Sequence, residues 1–433
     1  MENDVRVYSR CSGSVLCHRS VLAFLYAAVL LGTACAASAA SLGQVLFLRA
    51  AKPGAESPVD VYEKDLDTGE TKLLISHKSL PDTFRTRACD VAPSFDGRYL
   101  WILSSPGWVF HNQSTGETRT VFGYAFSHGG EEEPIDAIDE ADWCWERKTG
   151  TIRKIDAPQD CIGPGWSRSD SNMKWSPEGN RLLGRQDAEE APYPSCLYLY
   201  DATAQSVRKL ATASELEIAI WSAQADGAVE VLNAPKETSL VWFQPTSGER
   251  KTLFTWPREI AAIAQSPDGK TFAVFDSLGN YLVGRDGRHI RKLKMPTEEK
   301  LFWADFWFNT SGSRLAVLTS YSFGEPHLGL IQQLWVVDSK TTRAHRVARW
   351  DESFQGSGLA VDRWIEGWLP DEKSVLIGGA ISYGVEKPAD SENDWIKIWS
   401  YDTVRCTGRG SVLFDSGKGC LGVEWWPGTT ARF

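Results

Sequence analysis

Two stretches of the chain pair a tyrosine with a histidine: Tyr124 with His128, and Tyr321 with His327. Either side chain of a pair could take a proton from a carbon beside a carboxylate, which is general-base chemistry. Arg85 and Arg87 could neutralise that carboxylate through a bidentate contact. Together these are the residue types that β-elimination on a uronate polymer needs. The chain has only seven histidines, and no sequence spacing brings the three sets together. A second group of residues is acidic. Segment 127–142 carries Glu131, Glu132, Glu133, Asp136, Asp139, Glu140 and Asp142, and segment 186–196 carries Asp187, Glu189 and Glu190. Carboxylates are hard oxygen ligands and could meet a cationic partner or calcium. No EF-hand loop or glycine–aspartate repeat accompanies them, and acidic runs are ordinarily solvated faces. An acidic face would also repel a polyuronate. The sequence therefore points to no metal and no cofactor.

The elements that must position these residues are set by an exported, β-rich chain. The 433 residues carry a formal net charge of −10 and no basic stripe, which argues against a nucleic-acid partner. Arg6, Arg10 and Arg19 precede an apolar run from Val21 to Leu31, and Ala37-Ser38-Ala39 follows as a cleavage signature. Residues 1–39 read as a signal peptide, with residues 40–433 as one domain. The run is too short for a secure span, so no stable membrane span is expected once it is removed. The protein is expected to be secreted or periplasmic; the alternative is lipid attachment at Cys35. Six cysteines remain in the mature chain, and an even count in an exported protein suggests disulfides. Proximity in sequence favours Cys144–Cys161 and Cys406–Cys420, which leaves Cys89–Cys196; buried free thiols are the alternative. Asn112-Gln113-Ser114 and Asn309-Thr310-Ser311 match the N-glycosylation acceptor.

Internal repetition decides the fold class. A Ser-Pro-Asp-Gly-like turn between two hydrophobic strands recurs at Pro93–Gly97, Ser176–Gly179, Ser266–Gly269, Asn309–Gly312 and Leu369–Glu372, with a degraded copy at Ala225–Gly227. Proline presets the turn, aspartate caps its backbone, and glycine accepts positive φ. Outer hairpins alternate with these turns, beginning near residues 61, 108, 143, 197, 241, 281, 334 and 396. One inner and one outer hairpin make a four-stranded blade. Turn positions 178, 226, 268 and 311 step by 48, 42 and 43, whereas 96 and 178 lie 82 apart. The reading is an all-β propeller of eight four-stranded blades, with a degenerate blade over 123–155. The alternative is seven blades with an insertion at 123–170. QVLFLRA (44–50) lacks an inner strand, and LGVEWWP (421–427) looks like one, so the two ends should share a blade and close the ring. The tryptophans at repeat positions 101, 175, 221, 335, 368 and 399 should pack between blades.

These repeats resemble the TolB-type, WD-like propeller repeat of periplasmic proteins. They also resemble the propeller domain of prolyl-oligopeptidase-family peptidases. The resemblance implies fold more than function. Those peptidases need a Gly-x-Ser-x-Gly elbow. Gly356-Ser357-Gly358 lacks its spacing, and no room remains for a hydrolase domain. In a propeller the a–b and c–d turns share one face, and the b–c and d–a connections share the other. Here the long connections belong to the second face, where binding residues usually sit on rigid scaffolds. The expectation is a non-catalytic scaffold that binds a protein, or a small or polymeric ligand, through the ten acids of that face. The alternative is a carbohydrate-active propeller enzyme, a polysaccharide lyase, using Tyr124, His128, Tyr321, His327, Arg85 and Arg87.

Overall fold

The recurring turns fold as their chemistry predicts. In the computed structural model, Ser94 Oγ donates to Asp96 Oδ1 at 2.7 Å and accepts from Tyr99 N at 2.9 Å, and Ser266 and Asp268 repeat this arrangement. Gly97, Gly179, Gly269 and Gly312 hold φ between 65° and 73°. Glu372 takes the same position at φ 53°. Its carboxylate accepts from Asn309 Nδ2 and Ser311 N across the blade seam, each at 2.8 Å, which offsets the strain. Asn309 is 1% exposed with its amide engaged in these bonds, so its acceptor motif is closed to glycosylation.

The structure describes residues 41–50, 59–79, 88–94, 96–104, 107–112, 118–122, 132–138, 141–155, 174–186, 195–213, 216–224, 227–234, 237–295, 303–323, 329–353, 359–383, 396–416 and 420–427. Each blade is an antiparallel sheet whose strands run a to d outward. Blade 1 orders β31 (Cys420–Trp426), β1 (Gln44–Ala50), β2 (Val59–Asp65) and β3 (Thr71–Ile75). Blade 2 orders β4 (Ala88–Pro93), β5 (Tyr99–Ser104), β9 (Ala141–Glu146) and β10 (Thr151–Ile155). Blade 3 is β11 (Lys174–Trp175), β12 (Arg181–Gln186), β13 (Ser195–Asp201) and β14 (Ser206–Ala213). Blade 4 is β15 (Leu216–Trp221), β16 (Ala228–Asn233), β17 (Thr238–Phe243) and β18 (Arg250–Trp256). Blade 5 is β19 (Ala262–Gln265), β20 (Thr271–Asp276), β21 (Gly279–Gly284) and β22 (Arg291–Lys292). Blade 6 is β23 (Trp303–Phe308), β24 (Arg314–Phe323), β25 (Gly329–Asp338) and β26 (Ala344–Ser353). Blade 7 is β27 (Leu359–Trp368), β28 (Ser374–Tyr383), β29 (Ile396–Asp402) and β30 (Ser411–Asp415).

The propeller therefore has seven four-stranded blades, and the eight-blade expectation is corrected. The eighth sheet has three strands, in the order β7 (Thr118–Phe122), β6 (Gly107–Asn112) and β8 (Glu132–Ile138). It is inserted between β5 and β9, which pair directly from Tyr99↔Glu146 to Ser104↔Ala141. The 82-residue gap is one blade step plus this insertion. The hairpin beginning near 108 has an outer hairpin's alternation and turn, but it belongs to the inserted sheet. The seven-blade alternative has the right count; its insertion starts before the expected 123–170 interval and overlaps it only over 123–140. The ends behave as expected: β31 pairs with β1 and completes blade 1.

The core is divided among the seams. Seven apolar clusters each join two neighbouring blades, the last joining blade 7 back to blade 1. Trp101, Trp175, Trp335 and Trp368 are buried in these seams, while Trp221 and Trp399 pack at their margins. Indole donors also cross the seams: Trp175 Nε1 donates to Ala92 O at 3.0 Å, and Trp368 Nε1 to Trp307 O at 2.9 Å. An apolar body with one polar donor suits a packed sheet face next to a strand carbonyl.

One seam carries a costly charge. Glu230 on β16 is 0% exposed; one oxygen meets Arg250 Nη2 at 3.0 Å, and Oε2 has no hydrogen-bond partner among the described residues. Burial pushes its carboxyl above the ordinary 4.5, and Arg250 only partly opposes this. Stability is therefore lost as pH rises from the unfolded value through the higher folded one. Glu230→Gln should raise Tm at about pH 7, with the gain shrinking toward about pH 4, where the native acid is protonated in both states. Thermal melts at both pH values check this.

Candidate binding face

The a–b and c–d turns form a face whose polar side chains are engaged within the turns. Asp65 Oδ1 accepts from Thr68 N at 2.8 Å, Asp338 Oδ1 from Thr341 N and Oγ1 at 2.7 Å, and Asp402 Oδ1 from Arg405 N at 2.9 Å. These bonds favour the ionised form. The Thr68 amide lowers the Asp65 carboxyl, the Thr341 hydroxyl lowers Asp338, and the Arg405 amide lowers Asp402, all below the ordinary 3.8. A carboxyl lowered on folding stabilises the fold above its unfolded value, and that stabilisation is lost as pH falls through the folded value. Asp338→Asn should lower Tm at about pH 6 and flatten the loss of Tm between about pH 4 and pH 2. A pH series of melts on both proteins measures this.

The b–c and d–a connections form the other face, and the ring's departures from regularity gather there. The inserted sheet leaves between Ser104 and Ala141, at the b–c edge of blade 2. Strands β24 to β28 each run ten residues, against six in β20 and β21. Pairing in the two longest hairpins runs up to Phe323↔Gly329 and Leu359↔Tyr383. Blade 5, by contrast, turns from Asp276 to Gly279 directly.

The candidate residues distribute unevenly over this face. Glu132, Glu133 and Asp136 lie on β8, opposite Asn112, His111 and Val109 of β6. Asp142 lies on β9, opposite Leu103 and Ile155. Tyr321 lies on β24 opposite Ile331 and is 2% exposed. Glu131, Asp139, Glu140, Asp187, Glu189, Glu190, Tyr124, His128, His327, Arg85 and Arg87 lie outside the described residues. The cysteine pairing is corrected in two places: Cys144 and Cys406 are free thiols. Cys144 is buried in the seam between blades 2 and 3, and burial pushes its thiol up to about 12. Cys406 donates to Thr403 O at 3.2 Å within its own turn. Cys196 is in a disulfide whose other half lies outside the described side chains. Nearness in sequence misleads because each of these cysteines faces its own seam or turn.

Sequence reasoning missed two polar clusters on this face. At the seam of blades 6 and 7, Arg363 Nη1 donates to Gln332 Oε1 at 3.3 Å and Val361 O at 3.0 Å. Its guanidinium lies 4.7 Å from the Trp350 ring centre, and Gln332 Nε2 donates to Ser320 Oγ at 3.2 Å. At the seam of blades 4 and 5, Asp276 is 0% exposed and accepts from Trp256 Nε1 at 2.8 Å and Arg258 Nε at 2.7 Å. The only local signal was a Trp-Pro-Arg triplet in a d–a connection, with an aspartate closing a strand. Among the described residues, no group of three His, Cys, Asp or Glu could hold a metal ion.

No protein-family model matches this chain, and no curated protein sequence matches it. Solved structures similar to it include the periplasmic gluconolactonase PpgL of Pseudomonas aeruginosa, 14% identical over 89% of this chain and 99% of that one, with a TM-score of 0.49. Oligogalacturonate lyase of Vibrio parahaemolyticus is 13% identical over 87% of this chain and 86% of that one, with a TM-score of 0.47. TolB of Acinetobacter baumannii is 11% identical over 88% of this chain and 81% of that one, with a TM-score of 0.41.

Proposed function

We propose that this seven-bladed ring is an exported, non-catalytic scaffold that binds its partner through the b–c and d–a face. The observation that carries the reading is the asymmetry between the faces. The a–b and c–d turns are short, and the Oδ1 atoms of Asp65, Asp338 and Asp402 are engaged by their own turns. The inserted sheet and the lengthened strands of blades 6 and 7 emerge at the opposite edge. A rigid ring with elaborated connections on one face is how scaffolds present variable binding surfaces. The acids Glu131, Glu132, Glu133, Asp136, Asp139, Glu140, Asp142, Asp187, Glu189 and Glu190 would give that surface its negative sign and favour a cationic partner. Export rests on the signal-like segment 1–39, and the periplasm or the medium is the expected compartment.

Cross-linking in a periplasmic or culture-medium extract, followed by peptide mapping, tests the face. Cross-links should fall on β8, on the β24–β25 hairpin and on the 384–395 connection. Cross-links confined to the turns at Asp65, Asp268, Asp338 and Asp402 would refute the reading. Incubation with uronate polymers tests the absence of catalysis: appearance of an unsaturated product would replace the scaffold with a lyase.

A further inference from the structure

The d–a connection from blade 4 to blade 5 holds an arginine fixed from several directions. Its main chain is pinned by Thr238 Oγ1, which donates to Arg258 O at 2.7 Å, and by Asn233, which accepts from Ile260 N and donates to Ile260 O. The Arg258 side chain donates from Nε to Asp276 Oδ2 at 2.7 Å. Asp276 cannot turn away, because Trp256 Nε1 and Leu278 N hold the same buried carboxylate at 2.8 and 2.7 Å. The guanidinium carbon lies 5.5 Å from the Trp256 ring centre and 5.9 Å from that of Tyr281.

A buried structural arginine would use its remaining N–H groups inside the fold. Arg258 keeps 31% of its side chain exposed. A guanidinium has five N–H donors in one plane. Asp276 engages it at Nε, and no other hydrogen-bond acceptor for it is found among the described residues. On the adjacent strand, Lys292 Nζ lies 5.8 Å from the Tyr281 ring centre and donates to Leu278 O at 2.9 Å. The exposed part of Arg258 is a fixed positive group on a chain of net charge −10. A held guanidinium plane loses little freedom on binding and suits two coplanar oxygens.

We infer that Arg258 is a preorganised anion-binding site that takes a carboxylate or phosphate group of the ligand. The site rests on the reading that the b–c and d–a face is the working one. It supplies one positive anchor on a face otherwise rich in acids, so a ligand carrying both signs would engage it together with the carboxylates.

The test uses the whole mature chain at low ionic strength, titrated separately with glucuronate and with inorganic phosphate. Binding is followed by calorimetry and by the arginine Nε–Hε resonances. One probe should shift the Arg258 resonance saturably, and the stronger arm identifies the anion. Arg258→Lys should weaken that probe about tenfold or more, because charge stays and the planar fork goes. Tyr281→Leu should weaken it about twofold to threefold through the lost ring beside the guanidinium. Arg349→Lys is the control: Arg349 is also 31% exposed and is paired with Asp351. It should leave binding unchanged. Equal losses in Arg258→Lys and Arg349→Lys, or no saturable shift with either anion, would overturn the site. If Arg258→Lys does not fold, the resonance shift in the native chain and Tyr281→Leu decide alone. Loss of the anion site with cross-links still on this face would leave the scaffold reading intact. Anion binding with cross-links on the turn face would refute the scaffold reading alone.

Discussion

A chain ending at Ser416 is expected not to fold cooperatively. That truncation removes β31, the innermost strand of blade 1, and leaves β1 without its partner over Gln44↔Trp426 to Arg49↔Cys420. It also removes Trp425 and Trp426, which are 5% and 8% exposed. Each buried tryptophan hides roughly 150–250 Å², or about 4–6 kcal/mol of transfer free energy. Two of them approach the whole net stability of a domain, about 5–15 kcal/mol. Their polar contacts go as well: Trp425 Nε1 donates to Leu42 O at 2.9 Å, and Trp425 N donates to the buried Glu366 carboxylate at 3.2 Å. The Trp426 ring lies against Gly97, where an added Cβ would sit 2.2 Å from it, and under the Arg147 guanidinium at 5.4 Å. The seams on both sides of blade 1 therefore open together. Circular dichroism and urea melts should show no sigmoidal transition, and a peptide of residues 417–433 added in trans should restore one. A cooperative melt from the truncated chain alone would show that ring closure does not hold the fold.

Excision of residues 105–140 is expected to do the reverse, leaving the ring and abolishing function. Ser104 and Ala141 are direct partners across the β5–β9 pair. An Asn-Gly link of type I′ geometry can therefore join them without changing the register. The cluster that seals blade 2 to blade 1 draws on Val91, Leu100, Ile102, Trp143 and Trp145, none of which lies in the excised segment. The Tm should stay within about 5 °C of the parent, the shift that roughly 1–2 kcal/mol makes in a large domain. Seven of the ten candidate acids lie between Glu131 and Asp142, and all but Asp142 go with the segment. Cross-linked partner should fall at least about tenfold, as expected when an interface loses its central patch. Full retention of the partner by the excised ring would move the binding surface to blades 6 and 7 or off this face.

The contrast between these two experiments shows how the chain divides its labour. The strand that closes the ring is far in sequence from its partner, yet it was legible because an unfinished blade at one end matches a spare strand at the other. The insertion was legible only as an alternative, and with other bounds. A hairpin's alternation and turn chemistry are the same in a blade and in a sheet hung from one, so 108–122 counted as a blade hairpin. Only the pairing of β5 with β9, across the whole insertion, separates the two cases.

The candidate sites follow the same rule. Turn aspartates such as Asp268 and Asp338 could be assigned from local sequence, because their partners lie two or three residues away. Arg258 could not, since its partner Asp276 sits on the next blade and its backbone anchor Thr238 on the previous one. The same holds for Arg363 with Gln332, and for the two cysteines that remain free. Sequence alone determined the blade: period-two alternation and Ser-Pro-Asp-Gly turns are short-range and carry their own geometry. The tertiary structure decided how many blades close the ring, which hairpin stands outside it, and which charges meet across the seams. Those depend on strand pairing and burial between segments that no local pattern connects.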